Sequence, residues 1–266
     1  MPYTGITPDA QLLEQWKSEE DAFRLRGWDF SCIAGRWDCP EPPWDYVLAV
    51  KSYLRDTHLL LDMGTGGGEV LLTIGHPHKN TTVTEGYVPN FELCKRELSP
   101  LGIMVAQTFG DKKLPFADQS FDFIINKHES FDIVEVSRIL KPSGYFFTQQ
   151  VGHQNVHALE LAVNGKAGSV SPERNIDRYA NALKQRGFQI IMRDEAKFPV
   201  RFFDVAAVIF FCKACVWNFP GFSVETHFDQ LRNIQKKIDA NGFFQATGHR
   251  FLLAARLGNQ NQEELT

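Results

Sequence analysis

The rhythm of apolar and polar positions changes along this chain. Over residues 8–26, Leu12, Leu13, Trp16 and Phe23 recur at helical spacing, which predicts a helix with one buried face. Residues 27–44 have no period: three tryptophans, two cysteines and three prolines sit among turn formers, so an ordered but irregular segment is expected. Residues 45–55 read as a helix. From His58 onward, short apolar runs alternate with amphipathic stretches. Strands are expected at 58–63, 81–85, 103–107, 121–126, 145–151 and 188–193, and helices at 69–74, 89–98, 130–140 and 172–186. The last quarter breaks the alternation, with helices over 204–217 and 224–240 and a final strand over 250–255.

Strand and helix in turn imply an α/β fold: a mostly parallel sheet with helices on both faces. The expected division is an N-terminal cap or lid over residues 1–57 and a main domain over 58–266, with a helical insertion at 204–241. A chain of 266 residues is long enough to bury a large core without staples. Its 43% hydrophobic and 23% charged residues exclude a disordered or low-complexity chain. The net charge of −4 argues against a default binder of nucleic-acid backbone, where basic side chains must replace phosphate counterions. Five cysteines make an odd count, and the first 15 residues lack a basic start and an apolar run. A reducing cytoplasm is therefore expected, and no apolar stretch approaches the about 20 residues that span a bilayer.

The sharpest local feature is Leu59-Leu-Leu-Asp62-Met-Gly64-Thr65-Gly66-Gly67-Gly68-Glu69: a strand ending in an acid, a glycine loop, then a helix. A dinucleotide fingerprint needs Gly-x-Gly-x-x-Gly. Counted from Gly64 the third glycine is Glu69, and counted from Gly66 it is Leu71, so both registers fail. A carboxylate at the helix start also opposes a pyrophosphate. What fits is acid-x-Gly-x-Gly-x-Gly, a loop suited to a ligand with no phosphate and a positive centre.

With these residues, and in order from Asp62 to Gly152, the chain resembles the class I S-adenosylmethionine-dependent methyltransferases. Glu85 closes the second strand where that family uses an acid on the ribose hydroxyls, and a carboxylate can accept both donors. Asp111 stands before Leu114-Pro115-Phe116, where the family's acid meets the adenine amino group. Ser120-Phe-Asp122 opens the fourth strand. Glu135-Val-Ser-Arg138-Ile-Leu-Lys141-Pro-Ser143-Gly144 resembles the family's Glu-Val-x-Arg-Val-Leu-Lys-Pro-Gly-Gly run, with Ser143 for one glycine. The resemblance implies a Rossmann-like, seven-stranded sheet whose last strand is antiparallel, with N-terminal and C-terminal helical caps. It implies S-adenosylmethionine as cofactor, with Asp62, Gly64, Thr65, Gly66, Gly68, Glu85, Gly86, Asp111, Lys112 and Asn126 as the cofactor-binding set.

In doubly wound sheets the ligand crevice lies beyond the strand C-termini. That places Asn126-Lys127-His128-Glu129 and Gln149-Gln150-Val151-Gly152-His153 there. His128 and Glu129 are the candidate catalytic pair, one to take a proton and one to orient it or bind an amine. Trp37, Gln150 and His153 are candidate acceptor-binding residues. Trp28, Phe30, Arg36, Trp37 and Trp44 are candidates for a lid, with Arg36 on the methionyl carboxylate. Phe202, Phe203, Trp217, Phe219 and Phe222 are expected from the other side. Lys127-His128 after Asn126 departs from the Asn-Pro-Pro-Tyr pattern of nucleic-acid amino-methyltransferases. Cys212-Lys-Ala-Cys215 has no second pair at zinc spacing and reads as packing, so no metal is expected.

The leading reading is methyl transfer to a small-molecule acceptor, with no nucleic-acid or membrane partner and the oligomeric state open. The alternatives are an RNA or protein methyltransferase, or a non-catalytic S-adenosylmethionine-binding module.

Overall fold

A computed structural model describes residues 7–25, 28–166 and 174–259. The chain folds as two units, each assembled from separated segments. One gathers Met1–Glu41, Gln154–Ser171 and Lys197–His249; the other gathers Pro42–His153, Pro172–Ala196 and Arg250–Thr266. In chain order the elements are α1 (Pro8–Asp21), β1 (Trp37–Asp38), α2 (Tyr46–Lys51), β2 (Leu60–Met63), α3 (Glu69–Ile74), β3 (Thr81–Glu85), α4 (Val88–Glu97), β4 (Met104–Gln107), β5 (Phe121–Lys127), α5 (Ile133–Ile139), β6 (Leu140–Val151), α6 (His157–Asn164), α7 (Ile176–Gln185), β7 (Phe188–Phe202), α8 (Val205–Ala214), α9 (Phe228–Asn241) and β8 (Phe244–Leu257).

The sheet unit orders its strands β7-β8-β6-β5-β2-β3-β4. The pairs β2–β3, β2–β5, β3–β4 and β5–β6 are parallel, and β8 runs antiparallel to β6 from Tyr145↔Arg256 to Val151↔Arg250. Two apolar cores cover its two faces, because successive side chains of a strand point to opposite sides. Leu61, Ile124, Phe146, Phe251 and Leu253 enter one core with Val136, Ile139 and Leu183. Their neighbours Leu60, Phe123, Ile125, Phe147, Leu252 and Ala254 enter the other with Val50, Leu71, Val83 and Cys94. Burial on both faces is why β2 is apolar but for Asp62 and has every residue buried.

The structure departs from the expected elements in several places. The helix expected to start at Ser130 starts at Ile133, because the Asp132 carboxylate accepts the N–H groups of Val134 and Glu135. Lys141-Pro-Ser-Gly144 does not form a separate turn; it belongs to β6, with Ser143 at φ +65. Helix α6 has no counterpart in the expected list. Of the expected helix ends, Arg26 and Pro172 lie outside the described residues, as does Gly27 at the start of the irregular segment. An eighth strand, the two-residue β1, pairs with Arg201 and Phe202 of β7.

The division expected at residue 57 also falls elsewhere. Tyr46, Ala49 and Val50 are buried with the sheet, and Trp44, Val47, Tyr53 and Leu54 pack on the same core. The other unit takes in α6 and the ends of β7 and β8 as well as the helices at 204–241. Its core joins Trp16, Leu159, Phe202, Phe219 and Leu231 to α8, nearly every residue of which is buried. A helix apolar on every side has to be enclosed. Asp204 caps that helix by accepting the Ala207 N–H at 2.8 Å.

Candidate active site

Strand β2 delivers Asp62 to the start of the glycine loop. Its carboxyl is buried, and burial lifts its pKa to about 6 while the Thr65 hydroxyl, donating at 2.6 Å, acts in the opposite direction. Two glycines of the loop are required by space as well as by backbone. Gly64 has φ +67, and a Cβ there would sit 2.3 Å from Glu129 Cγ. Gly68 has φ +88, and a Cβ there would sit 2.9 Å from Leu98 Cδ1 beneath it. Gly68→Ala is expected to cost about 2 kcal/mol through backbone strain and overpacking. Thermal unfolding would show a Tm lower by roughly 5 °C; an unchanged Tm would contradict the assignment.

Glu85, at the end of β3, is the hinge of the site. Its Oε2 accepts the Gly66 N–H at 2.9 Å and its Oε1 the Tyr87 N–H at 2.8 Å, and burial raises its pKa. Gly86 is held tight, since a Cβ would sit 2.9 Å from the Thr108 carbonyl oxygen. Around these residues opens a cleft of about 510 Å³, lined by Gly64, Glu85, Gly86, Tyr87, Asp111 and Glu129 among others. Burial raises the Glu129 pKa, with Glu85 and Asp111 adding like charge. An adjoining cleft of about 860 Å³ shares Asp111 and is lined by Lys112. Asp62, Thr65, Gly66 and Gly68 build the loop and do not line either cleft.

The loop carrying Asp111 is pinned from α5. Buried Glu135 accepts the Leu114 N–H at 2.6 Å and bonds Arg138 at 2.9 Å, and Arg138 reaches the Phe116 carbonyl at 2.9 Å. Arg138 holds the Glu135 pKa below the usual carboxylate range. Glu135→Ala is expected to destabilise by roughly 2 kcal/mol, since it leaves the buried Leu114 N–H without its acceptor and Arg138 with Asp118 as its remaining carboxylate. Urea unfolding at neutral pH checks this. The Glu135 contribution is complete above its ordinary pKa and is lost as pH falls through the lowered one.

At the ends of β5 and β6 lies a second, polar group of side chains. Asn126 is fully buried; its Oδ1 accepts from the Thr148 hydroxyl at 2.8 Å and from Gln150 Nε2 at 2.6 Å. Gln150 also donates to the Glu129 carbonyl at 2.9 Å. The Asn126 Nδ2 has no hydrogen-bond partner among the described residues. Gln149 accepts from the Trp44 indole N–H at 2.7 Å, and its Nε2 lies 3.1 Å from His128 Nε2. His128 has φ +63 and is exposed, and it lines neither cleft. Tyr46 donates to the Asn126 carbonyl at 3.3 Å, and burial with Asp62 nearby pushes its phenol pKa well up.

Residues 61–148 match the family model described as a methyltransferase domain. Those residues form a methyltransferase domain. The search of the curated proteins finds no match. Among solved structures, the YcgJ protein of Bacillus subtilis is 16% identical with a TM-score of 0.54, over 80% of this chain and 98% of its own. A Bacillus halodurans protein assigned as a methyltransferase is 14% identical with a TM-score of 0.53, over 80% and 97%. A protein of unknown function from Deinococcus radiodurans R1 is 13% identical with a TM-score of 0.52, over 92% and 97%. At such identities the likeness is one of fold.

The methyltransferase loop suits a phosphate-free, cationic cofactor. Glu85, Asp111 and Glu129 line the cleft with no Lys or Arg among its walls. A pyrophosphate would meet three carboxylates there. Tyr87 and Phe109, 65% and 86% exposed, offer aromatic surface at the same cleft. Sequence reasoning missed both; the signal was a large aromatic directly after a strand-end segment. It also missed Tyr46 and the role of Gln149.

Other candidates go elsewhere. Arg36 bonds Asp204 at 2.8 Å and Glu19 at 3.4 Å, so its expected pairing with a methionyl carboxylate is replaced by two carboxylates of its own unit. Trp37 stacks near Phe30, Phe202 and Phe211. Phe202, Phe219 and Phe222 are buried in that core and line no described cleft, whereas Phe203 and Trp217 are exposed. His153 donates its backbone N–H to the Arg174 carbonyl at 2.9 Å. Cys212 and Cys215 belong to the α8 core.

Proposed function

We propose that this methyltransferase acts on a small-molecule acceptor. The observation that supports it is the carboxylate-lined cleft of about 510 Å³, of ligand size and without a cation in its walls. The cofactor occupies this cleft, and a polyanionic acceptor approaching its mouth would meet like charge from Glu85, Asp111 and Glu129, whereas a small neutral or cationic one would not. In this reading Glu85, Gly86 and Asp111 contact S-adenosylmethionine, with Asp62, Gly64, Thr65, Gly66 and Gly68 shaping the loop. Lys112 stands at the adjoining cleft, and Asn126 keeps a buried donor for a ligand. The cofactor supplies a methyl group activated at a sulfonium.

The chain's own part is positioning. Gln150 and Asn126 fix the polar floor at the strand ends, and holding the acceptor there supplies much of the acceleration. Glu129, with its raised pKa, is the carboxylate placed to take a proton from a hydroxyl or amine acceptor. No described helix is long and apolar enough to cross a membrane. All five cysteines are thiols, which supports a reducing, cytoplasmic setting.

Calorimetric titration of the full chain with S-adenosylmethionine, S-adenosylhomocysteine and NAD tests the cofactor side. Binding of the first two and not NAD is expected. Methyl transfer from labelled cofactor to a panel of small hydroxyl and amine compounds, with total RNA and protein alongside, tests the acceptor class. Labelling of RNA or protein alone would overturn the small-molecule reading. Binding without transfer to any acceptor would favour a non-catalytic module.

A further inference from the structure

We propose that Gln149, anchored by Trp44, is a positioning residue that holds His128 as the neutral Nδ1–H tautomer. His128 then offers the methyl acceptor a hydrogen-bond donor and not a base. The inference rests on reading the β5 and β6 ends as the acceptor side.

The chain of hydrogen bonds allows one arrangement. An indole N–H only donates, so the Gln149 atom 2.7 Å from Trp44 Nε1 is the amide oxygen. The amide nitrogen therefore faces His128, 3.1 Å from its Nε2. An amide NH2 has no lone pair to offer, so His128 Nε2 accepts, and the single proton of the neutral ring lies on Nδ1. The two residues are also tied by their backbones, the His128 N–H donating to the Gln149 carbonyl at 2.8 Å. His128 is in the left-handed region, which histidine tolerates better than most residues, so the ring is set by the turn that ends β5.

Protonation would turn Nε2 into a donor facing another donor. The protein atoms packed around the ring disfavour its charged form most, and Arg250 on β8 and Lys127 on β5 add positive charge, so the imidazole pKa is held well below its ordinary value. The partner suited to such a ring is an acceptor molecule presenting an oxygen or nitrogen lone pair to Nδ1–H. Proton removal falls to another group, for which Glu129 is placed.

The experiment is ¹⁵N-histidine NMR of the full-length chain between pH 5.5 and 8, with His128→Gln to assign the signal. In the unaltered protein Nδ1 is expected to be protonated and Nε2 bare throughout. In Gln149→Glu the new carboxylate keeps the Trp44 bond and accepts from the ring, so the proton moves to Nε2 and the titration midpoint rises by at least one pH unit. Trp44→Phe frees the amide to flip and is expected to give averaged tautomers, which covers the case where Gln149→Glu does not fold. A protonated Nε2 or averaged tautomers in the unaltered protein, or an unmoved proton in folded Gln149→Glu, would overturn the inference. Titration of the same samples with S-adenosylhomocysteine keeps the functional reading separate: a fixed Nδ1–H without binding overturns that reading alone.

Discussion

Replacing Glu85 by alanine is expected to weaken S-adenosylmethionine binding at least about a hundredfold. The carboxylate does two things at once. It holds the loop by accepting the Gly66 and Tyr87 N–H groups at 2.9 and 2.8 Å, and it stands in the wall of the cleft. Hydrogen bonds to a charged group are worth about 1.5–3 kcal/mol each, and a buried donor left without a partner costs a comparable amount. Two such losses exceed the about 2.7 kcal/mol that a hundredfold change in affinity represents. Glu85→Gln is the informative companion. It keeps one carbonyl oxygen for one backbone donor and turns an NH2 toward the other, so it should retain the fold and still bind poorly. Calorimetric titration of both variants checks this. An affinity within threefold of the unaltered protein for Glu85→Ala would remove Glu85 from the site.

The second large effect has the opposite sign for stability and for binding. Asp62 is buried and its pKa is lifted to about 6. A carboxyl whose folded pKa lies above its unfolded value binds its proton more tightly in the native state. Its contribution to stability is therefore fully present below the unfolded pKa and is lost as pH rises through about 6. At pH 7.5 the ionised group costs about 2–3 kcal/mol relative to an unperturbed one. Asp62→Asn removes that charge and keeps an oxygen for the Thr65 hydroxyl. It is expected to raise stability by about 2 kcal/mol at pH 7.5, a gain that disappears near pH 4. The same variant should bind the cationic cofactor more weakly, the usual pattern when a strained group is kept for function. Urea unfolding at pH 4.5, 6 and 7.5 reads the first effect and titration with S-adenosylmethionine the second. A variant less stable than the parent at pH 7.5 would show that Asp62 is held ionised by partners, and the argument from burial would fail.

Much of this was legible in the residues alone, for a definable reason. The acid at a strand end, the loop of glycines and the helix behind it are local: they depend on apolar runs, positive φ and cap chemistry within a dozen residues. The order Asp62, Glu85, Asp111, Asn126 along alternating strands then follows from parallel pairing, and Gly64, Glu85, Asp111 and Glu129 do share one cleft. Where helices were misplaced, the error was also local. Asp132 caps a helix that starts at Ile133 and not at Ser130, and the Pro-Ser-Gly run lies within a strand.

The partners of individual side chains were not legible, because they are set by elements far apart in the chain. His128 looked like a base until strand pairing brought Gln149 to its Nε2 and Trp44 to Gln149. Arg36 looked like a carboxylate reader until Asp204, 168 positions away, took its guanidinium. The unit built from Met1–Glu41, Gln154–Ser171 and Lys197–His249 has no sequence boundary, since its three segments are joined by a common apolar core and by pairs such as Arg36–Asp204 between residues far apart in the chain. Thus the α/β class, the loop and its acids were determined by the sequence by itself, through patterns a few residues long. Which nitrogen of His128 is free, which cation is already paired and where the units divide were decided only by the tertiary structure. Those questions turn on hydrogen bonds and burial between residues that only folding makes neighbours.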